Sequence, residues 1–346
     1  MSVTEDVLDL LENADGPVSG EEMAEKLGIT RNSVWKAVGK LKEAGYEIEA
    51  GTNRGYRLVS SGNALTPQAV RRLLTGPARG CAIDVRDSVT STNTVLKSIA
   101  EQGGVEGMTL IAQQQTQGKG RLGRTFVSPK GTGIYISMLL RPKFSAEESL
   151  SVPTAAAVAV AEAIDAVTGR HAMIKWVNDV YLQGRKVCGI LTEAAVDFEN
   201  NGLHYAIVGI GVNIQEPVGG FPPEIREVAG ALYQGEVPAG VRTRLAAEII
   251  NRFFGFYEHL TQRPFMKAYQ DRSLLTGLEV TFAQGDQIRE GLVLGVDDEA
   301  RLRVRLPDGE EKLFSAGEVD IKKDFLERLR RGEEEAPHAV QKRSMG

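Results

Sequence analysis

At 346 residues the chain is too long for one ordinary core, so about two or three domains are expected. A formal charge of −5 with 42% hydrophobic residues points to a soluble globular protein and excludes a global basic field, so that any nucleic-acid contact must be local. The N-terminus has neither a basic nor an apolar signal region, and no apolar run approaching membrane-spanning length is expected, which makes the cytoplasm the expected location. Cys81 and Cys188 lie far apart without a CxxC pattern, which argues against a disulfide framework or a zinc site, and the four scattered histidines add no metal signal.

The first predicted helix starts at a Thr4 cap, carries Val7, Leu10, Leu11 and Ala14 at helical spacing, and stops at Asp15-Gly16-Pro17. Ser19-Gly20-Glu21-Glu22 reads as a capping box for a short second helix that ends at Gly28. Thr30 caps a third, with Val34, Val38 and Leu41 on one face and Gly45 as its stop. Two short helices a few residues apart form a helix-turn-helix, the third helix being the recognition helix, and the strand-turn-strand pattern of residues 46–59 is a wing. Residues 31–57 carry an excess of positive charge while residues 1–30 are acidic. Charge gathered there is the footprint of phosphate contacts, so Arg31, Asn32, Ser33, Lys36, Lys40 and Arg54 are the candidate DNA-binding residues, with Asn32, Ser33 and Lys36 the candidates for base edges and Trp35 expected to pack; the alternative is a three-helix protein-interaction module with a solvated charged face. The first domain is taken as residues 1–60, closed by the linker Ser60-Ser61-Gly62-Asn63.

Next comes Ser88-Val89-Thr90-Ser91-Thr92-Asn93 ahead of a helical run. Hydroxyls and an amide at a helix start either cap the helix or face a small polar ligand. The run Thr109-Leu110-Ile111-Ala112 has strand character and leads into Gln115-Thr116-Gln117-Gly118-Lys119-Gly120-Arg121-Leu122-Gly123-Arg124. Backbone N–H groups at this glycine density can close on an anion, and Lys119, Arg121 and Arg124 supply countercharge. The glycines satisfy G-x-G-x-x-G, but that dinucleotide fingerprint demands a helix directly afterwards, whereas Pro129, Gly131 and Gly133 lead into the apolar strand Ile134 to Leu140. The loop expects an anionic ligand of another kind.

Pro153 to Val167 is an alanine-rich helix of the scaffold. Residues 174–191 read as a β-hairpin turning at Gln183-Gly184; a two-residue turn places Asp179 with Lys186 on one face, and a three-residue turn places Asn178 there instead. Either arrangement joins a metal-capable oxygen ligand to an ammonium suited to charge developing on phosphorus, or forms a plain surface salt bridge. In Ile207 to Ile214, Gly209 and Gly211 either admit a flat ligand or serve packing, with Asn213 free for hydrogen bonding. Alternating segments at 278–282, 288–294, 301–306 and 311–314 describe a small β-barrel. Beyond Lys323, the charged run reads as a frayed helix and disordered tail, residues 323–346.

Taken in order, the winged helix, S-T-N, the G-K-G-R-L-G-R loop, K-W-V-N-D, R-K-V-C-G-I, G-I-G-V-N and Gly317-Glu318-Val319 resemble the bifunctional biotin–protein ligases of the biotin operon repressor type, over nearly all of residues 1–322. The resemblance implies an α+β fold: an N-terminal winged helix-turn-helix, a central mixed-sheet, class II synthetase-like ligase domain (64–271) and a C-terminal SH3-like β-barrel (272–322). It implies activation of biotin by ATP and Mg²⁺ to biotinyl-5′-AMP, without a prosthetic group. Biotin would then pass to a lysine of the biotin carboxyl carrier protein of acetyl-CoA carboxylase or another biotin-dependent carboxylase. The adenylate would act as corepressor, promoting a homodimer on operator DNA; no membrane is involved.

By the same resemblance, Ser91, Thr92, Asn93 and Gln115 would hold biotin, and Gly118, Lys119, Gly120, Arg121 and Arg124 would order over biotin and the adenylate phosphate. Lys186, with Gly189 on its strand, would contact the carboxylate and α-phosphate. Asp179, helped by Asn178, would arrange Mg²⁺ or the attacking amine, and Asn213, Gly209 and Gly211 would lie near the nucleotide. Lys186, Arg121 and Asp179 are thus the expected catalytic residues. Two positions depart from the family pattern: Val177 replaces the usual proline and Lys119 the commoner arginine, which exchanges a planar fork for a point charge. A lipoate ligase or an octanoyltransferase, the latter needing Cys188 as nucleophile, and a ligand-sensing repressor without catalysis are the competing readings.

Overall fold

The computed structural model describes residues 2–14, 16–51, 55–60, 62–142, 150–197, 202–284 and 287–333. The chain divides into two compact units, residues 1–73 with 237–247, and residues 74–236 with 248–346.

In the first unit, α1 (Val3–Glu12), α2 (Gly20–Leu27) and α3 (Arg31–Glu43) precede the antiparallel pair β1 (Glu47–Gly51) and β2 (Gly55–Ser60), and α4 (Pro67–Arg72) follows. Ser2, rather than Thr4, caps α1: its hydroxyl accepts from the Glu5 N–H while its own N–H donates to the Glu5 carboxylate, a reciprocal capping box two residues earlier than expected. Ser19 and Thr30 cap α2 and α3 through the N–H groups of Glu22 and Ser33, and Gly28 at φ 64° lets the chain leave α2. Apolar positions at helical spacing, among them Val7, Leu11, Met23, Val34, Val38 and Leu41, fill one core with Tyr46 and Ile48. The helix-turn-helix and wing are therefore present as expected.

The outer face of α3 carries exposed Arg31, Asn32, Lys36 and Lys40. Trp35, expected to pack, is 64% exposed among them. Ser33 is half-buried, with its hydroxyl and N–H both engaged by Thr30, which leaves it a cap partner more than a free base reader. Arg31 pairs with Glu21 at 3.2 Å. Arg54 lies outside the described residues.

The second unit is built on a seven-stranded sheet of order β3-β4-β5-β9-β8-β7-β6. Its strands are β3 (Ile83–Arg86), β4 (Thr109–Ala112), β5 (Gly133–Leu140), β6 (Met173–Lys175), β7 (Asp179–Leu182), β8 (Arg185–Asp197) and β9 (Gly202–Asn213). Among the described residues β3 and β4 pair in parallel and the other neighbouring strands of this sheet pair antiparallel, so the sheet is mixed. Helix α5 (Thr92–Glu101) covers one face through Leu96 and Ala100 against Leu110, Leu139 and Ile207.

The alanine-rich α6 (Ser151–Thr168) is 18 residues long and apolar enough to cross a membrane, contrary to the expectation that no run approached that length. Two-thirds of it is buried, and its small side chains from Ala155 to Ala163 pack inside the unit, which makes it a core helix. Helix α7 (Val241–Tyr257) begins within residues of the first unit, and α8 (Met266–Asp271) follows it.

Near the C-terminus, β10 (Glu279–Gln284), β11 (Gln287–Val296), β12 (Leu302–Arg305), β13 (Glu311–Phe314) and β14 (Val319–Ile321) form an antiparallel sheet of order β13-β12-β11-β10-β14, compatible with the small barrel expected. Phe282 and Phe314 meet within it at 4.8 Å between ring centroids. Residues 323–331, within the stretch read as a frayed helix and disordered tail, form the helix α9 (Lys323–Arg331), whose Phe325 and Leu326 are buried. Residues 334–346 lie outside the described residues.

Candidate active site

Most of the residues expected from the sequence to bind ligand gather over a stretch of the large sheet that has little side-chain bulk. Gly189 on β8 pairs with Gly211 on β9, and Gly209 stands between Leu191 and Ser137. Alternation along the strands sets these residues on one face. The space they leave is used by the protein itself: a Cβ at Gly209 would come 2.3 Å from Asn93 Oδ1, and one at Gly211 would come 2.5 Å from the Phe126 ring. Of the two readings of these glycines, packing therefore accounts for both. Beside this floor opens a cavity of about 450 Å³. Ser91, Thr92, Asn93, Gln115, Gly209, Gly211 and Asn213 line it, as do Lys119, Gly120, Arg121, Arg124, Asn178, Asp179, Lys186 and Gly189. Gly118 is not among the lining residues; it lies behind the loop, where an added Cβ would sit 2.3 Å from the Phe126 carbonyl oxygen.

One end of the cavity is a closed polar network. Ser91 stands at the N-cap position of α5, yet its side chain makes no capping bond. The Thr92 N–H and hydroxyl both donate to Gln115 Oε1, at 2.8 and 3.0 Å, and Gln115 Nε2 donates to Ser128 Oγ at 3.0 Å. Ser137 Oγ lies 2.7 Å from Thr92 Oγ1 and 2.6 Å from Asn93 Oδ1, and Asn93 Nδ2 donates to Glu193 at 2.7 Å. Buried polar atoms need partners, and here they satisfy one another, which fixes the direction of each amide and hydroxyl. Asn93 is spent on this network and acts as part of the wall. Ser137 and Glu193 join the site without a motif to mark them; Ser137 is the one serine in an apolar strand, at the parity of Tyr135 and Leu139, and that parity is the available signal.

The middle of the cavity is cationic. Gln183 and Gly184 both have positive φ, 49° and 70°, the signature of a two-residue primed turn. Leu182 therefore pairs with Arg185 and Tyr181 with Lys186, with a register shift one step further along. The two-residue reading of the hairpin holds: Lys186 Nζ is 2.7 Å from Asp179 Oδ2. Against them lies the basic loop. Arg121 donates to Asn178 Oδ1 at 2.7 Å and to the Gly317 carbonyl at 3.3 Å, while Arg124 reaches Glu318 at 2.8 Å. Asn178 is itself held by donation from Nδ2 to the Ile190 carbonyl. The loop is pinned back on itself by a bond from the Gly120 N–H to the Arg124 carbonyl, and its tip, Leu122, is 75% exposed.

Lys175, the first residue of the K-W-V-N-D segment, also lines the cavity. Burial lowers its pKa, with Asp179 and Asp320 opposing. The segment is anchored by the Trp176 indole donating to the Ala300 carbonyl at 2.8 Å, and the Trp176–Val177 peptide is cis. At the far end Asn213 donates to the Gly230 carbonyl, and Phe221, Ile225, Val228 and Leu326 form an apolar wall. No motif marks that loop in the sequence. Cys188 is fully buried, and burial pushes its thiol well above the ordinary range, which disfavours a thiolate nucleophile.

Residues 85–213 match the biotin/lipoate A/B protein ligase family, residues 3–57 an HTH domain, and residues 276–322 the biotin protein ligase C-terminal domain. The bifunctional ligase/repressor BirA of Bacillus subtilis is 30% identical over 319 residues, covering 91% of this chain and 98% of the relative. The chain belongs to the bifunctional ligase/repressor BirA family. BirA of Escherichia coli is 26% identical over 315 residues, covering 88% of this chain and 92% of that protein. Among solved structures, biotin protein ligase from Aquifex aeolicus in complex with biotin and ATP is similar with a TM-score of 0.56 and 29% identity, over 69% of this chain and 98% of that one. The chain thus carries an HTH domain, a ligase segment and a biotin protein ligase C-terminal segment in that order.

Proposed function

We propose that this chain is a biotin–protein ligase that also represses transcription. It activates biotin with ATP to biotinyl-5′-AMP and then transfers biotin to a lysine of a carrier protein. The observation that carries this reading is the Asp179–Lys186 pair held beside Arg121 in one cavity with the Thr92–Gln115–Ser137 network, in a chain similar to BirA over 91% of its length.

In the first half-reaction a carboxylate oxygen of biotin attacks the α-phosphorus of ATP, the bond to the β-phosphate bridging oxygen breaks, and pyrophosphate leaves. Lys186 and Arg121 present N–H donors where negative charge builds on phosphorus, and they are already held by Asp179 and Asn178, so little reorganisation is needed. The amide and hydroxyl edges of Gln115, Thr92 and Ser91 suit a small ring carrying both donors and acceptors, such as the ureido group. In the second half-reaction the amine nitrogen of the acceptor lysine attacks the acyl carbon, AMP leaves, and the nitrogen loses a proton; Asp179 is the carboxylate placed to receive it. The basic loop shields the mixed anhydride from water.

Among the described residues no group of three His, Cys, Asp or Glu side chains is placed to cage a metal ion. Asp179, a carboxylate in the cavity beside Lys186, is the residue that would help hold Mg²⁺ entering with ATP, and the ion would supply neutralisation of phosphate charge. The acceptor is taken to be the biotin carboxyl carrier protein of acetyl-CoA carboxylase or a related carboxylase. Ligand-promoted homodimerisation, operator binding with the adenylate as corepressor, and a cytoplasmic location belong to the same proposal.

Incubation with ATP, Mg²⁺, labelled biotin and an acceptor carrier domain tests it. Label on the acceptor, with pyrophosphate released, supports the ligase. Biotin binding with no label transferred supports the non-catalytic repressor instead.

A further inference from the structure

Helix α9 begins one residue past the matched biotin protein ligase C-terminal segment, which ends at residue 322, and it still reaches the cavity. Phe325, Leu326 and Leu329 pack with Tyr181, Met173 and Leu274, and Leu326 is itself part of the cavity wall. The polar side of the helix is tied down at two points. Arg330 donates from Nε to the Gly184 carbonyl at 3.2 Å and from an Nη to the Glu227 carbonyl at 2.7 Å, while Lys323 pairs with the Glu227 carboxylate at 2.6 Å.

These anchors sit on the two segments that shape the apolar end of the site. Gly184 is in the turn that precedes Lys186, and it approaches α9 so closely that a Cβ there would be 2.8 Å from the Leu326 carbonyl oxygen. Glu227 adjoins Val228, whose carbonyl accepts from the Lys186 N–H at 2.8 Å. One guanidinium therefore fixes the spacing between the Lys186 hairpin and the loop carrying Ile225 and Val228. Its two bonds are to carbonyls, so the fork geometry and not charge pairing sets that distance.

We propose that α9 forms the outer wall of a purine-base subsite, with Leu326 touching the base and Arg330 acting as a positioning residue for the two segments beside it. The other end of the cavity is committed to polar amides and hydroxyls, whereas this end offers aliphatic side chains and Phe221, the surroundings that a flat heteroaromatic group needs. The inference rests on the ligase reading only in taking the nucleotide to be ATP.

Wild-type chain, Leu326→Ala, Arg330→Ala and a chain ending at Lys322 are compared for ATP KM by pyrophosphate release at saturating biotin, and for biotin Kd by calorimetry. The expected result is an ATP KM raised about fivefold or more in each variant, most of the effect lying in KM and not kcat, with biotin Kd within about twofold of wild type. Leu326→Met should return most of the loss, because it refills the wall. An ATP KM within about twofold of wild type in both point variants overturns the proposal, as does biotin Kd rising in step with ATP KM, which marks general support of the fold. A wild-type chain that releases no pyrophosphate counts against the ligase reading alone, and direct calorimetric titration with ATP then decides the role of α9 by the same comparison.

Discussion

Lys186 Nζ and Asp179 Oδ2 stand 2.7 Å apart across the β7–β8 turn, with 30% and 18% of the side chains exposed. A half-buried pair of this kind gives the ammonium a fixed direction before any phosphate arrives. Lys186→Ala should slow adenylation by about 10²- to 10³-fold, the range for loss of one preorganised donor, while biotin affinity changes far less. Single-turnover pyrophosphate release beside equilibrium biotin binding checks this; an unchanged release rate would remove Lys186 from the mechanism.

Gly209 and Gly211 make a second, separable prediction. Adding a methyl at Gly209 drives it into Asn93 Oδ1, and at Gly211 into the Phe126 ring. Asn93 cannot move without breaking its bonds to Ser137 and Glu193, so Gly209→Ala should destabilise by about 1–3 kcal/mol, the usual cost of overpacking. It should also weaken biotin binding, because Ser137 and Thr92 share the disturbed network. Phe126 is on a loop and is half-buried, so Gly211→Ala should cost less stability. Thermal melts and biotin titrations of the two variants rank them, and equal effects at both positions would contradict the assignment.

What could be read from the sequence follows a physical divide. Caps, stops and short-range turns are local, so Ser19, Thr30, Gly28 and the Gln183-Gly184 turn were legible. So was the cationic loop, because glycines and cations were dense within ten residues. The register of the hairpin was left between two turn lengths, and only the observed pairing of Tyr181 with Lys186 selects one. Ser137, Glu193, Phe126 and the loop at 221–229 enter the site through pairings across distant strands, which no local pattern encodes. Trp35 was misplaced for a related reason: an aromatic residue next to a helix's apolar stripe reads as core, yet one position of rotation puts it outside. Helix α9 is legible as a helix, but its docking is hidden by its charge, which masks the Phe325, Leu326 and Leu329 stripe that packs it.

The exposed face of α3 predicts how its residues divide the work on DNA. Lys36 carries a charge but no fixed partner geometry, so Lys36→Ala should weaken binding to any duplex and lower the slope of log affinity against log salt by about 1. Trp35 is uncharged and projects beside it, so Trp35→Ala should weaken binding without changing that slope. Fluorescence anisotropy with a non-specific duplex at several salt concentrations distinguishes them. A slope that moves with Trp35 but not with Lys36 would reverse the assignment.

Lys175 gives the site a pH dependence whose sign can be worked out. Burial holds its pKa below the ordinary 10.5, with Asp179, Asp320 and Glu318 pulling it upward and Lys186 pushing it down. A bound adenylate brings negative charge into the cavity and raises that pKa, so between the free and the bound value binding takes up a proton, and affinity falls as pH rises through the window. In the same window below 10.5 the unfolded chain holds more protons on Lys175 than the ligand-free folded chain does, so this residue's contribution to stability rises with pH. Lys175→Met should remove both slopes. Calorimetric titration with a non-hydrolysable biotinyl-adenylate analogue across a series of pH values below 10.5, in two buffers of different ionisation enthalpy, reads the proton uptake directly. Equal buffer dependence in wild type and Lys175→Met would show that the proton goes elsewhere.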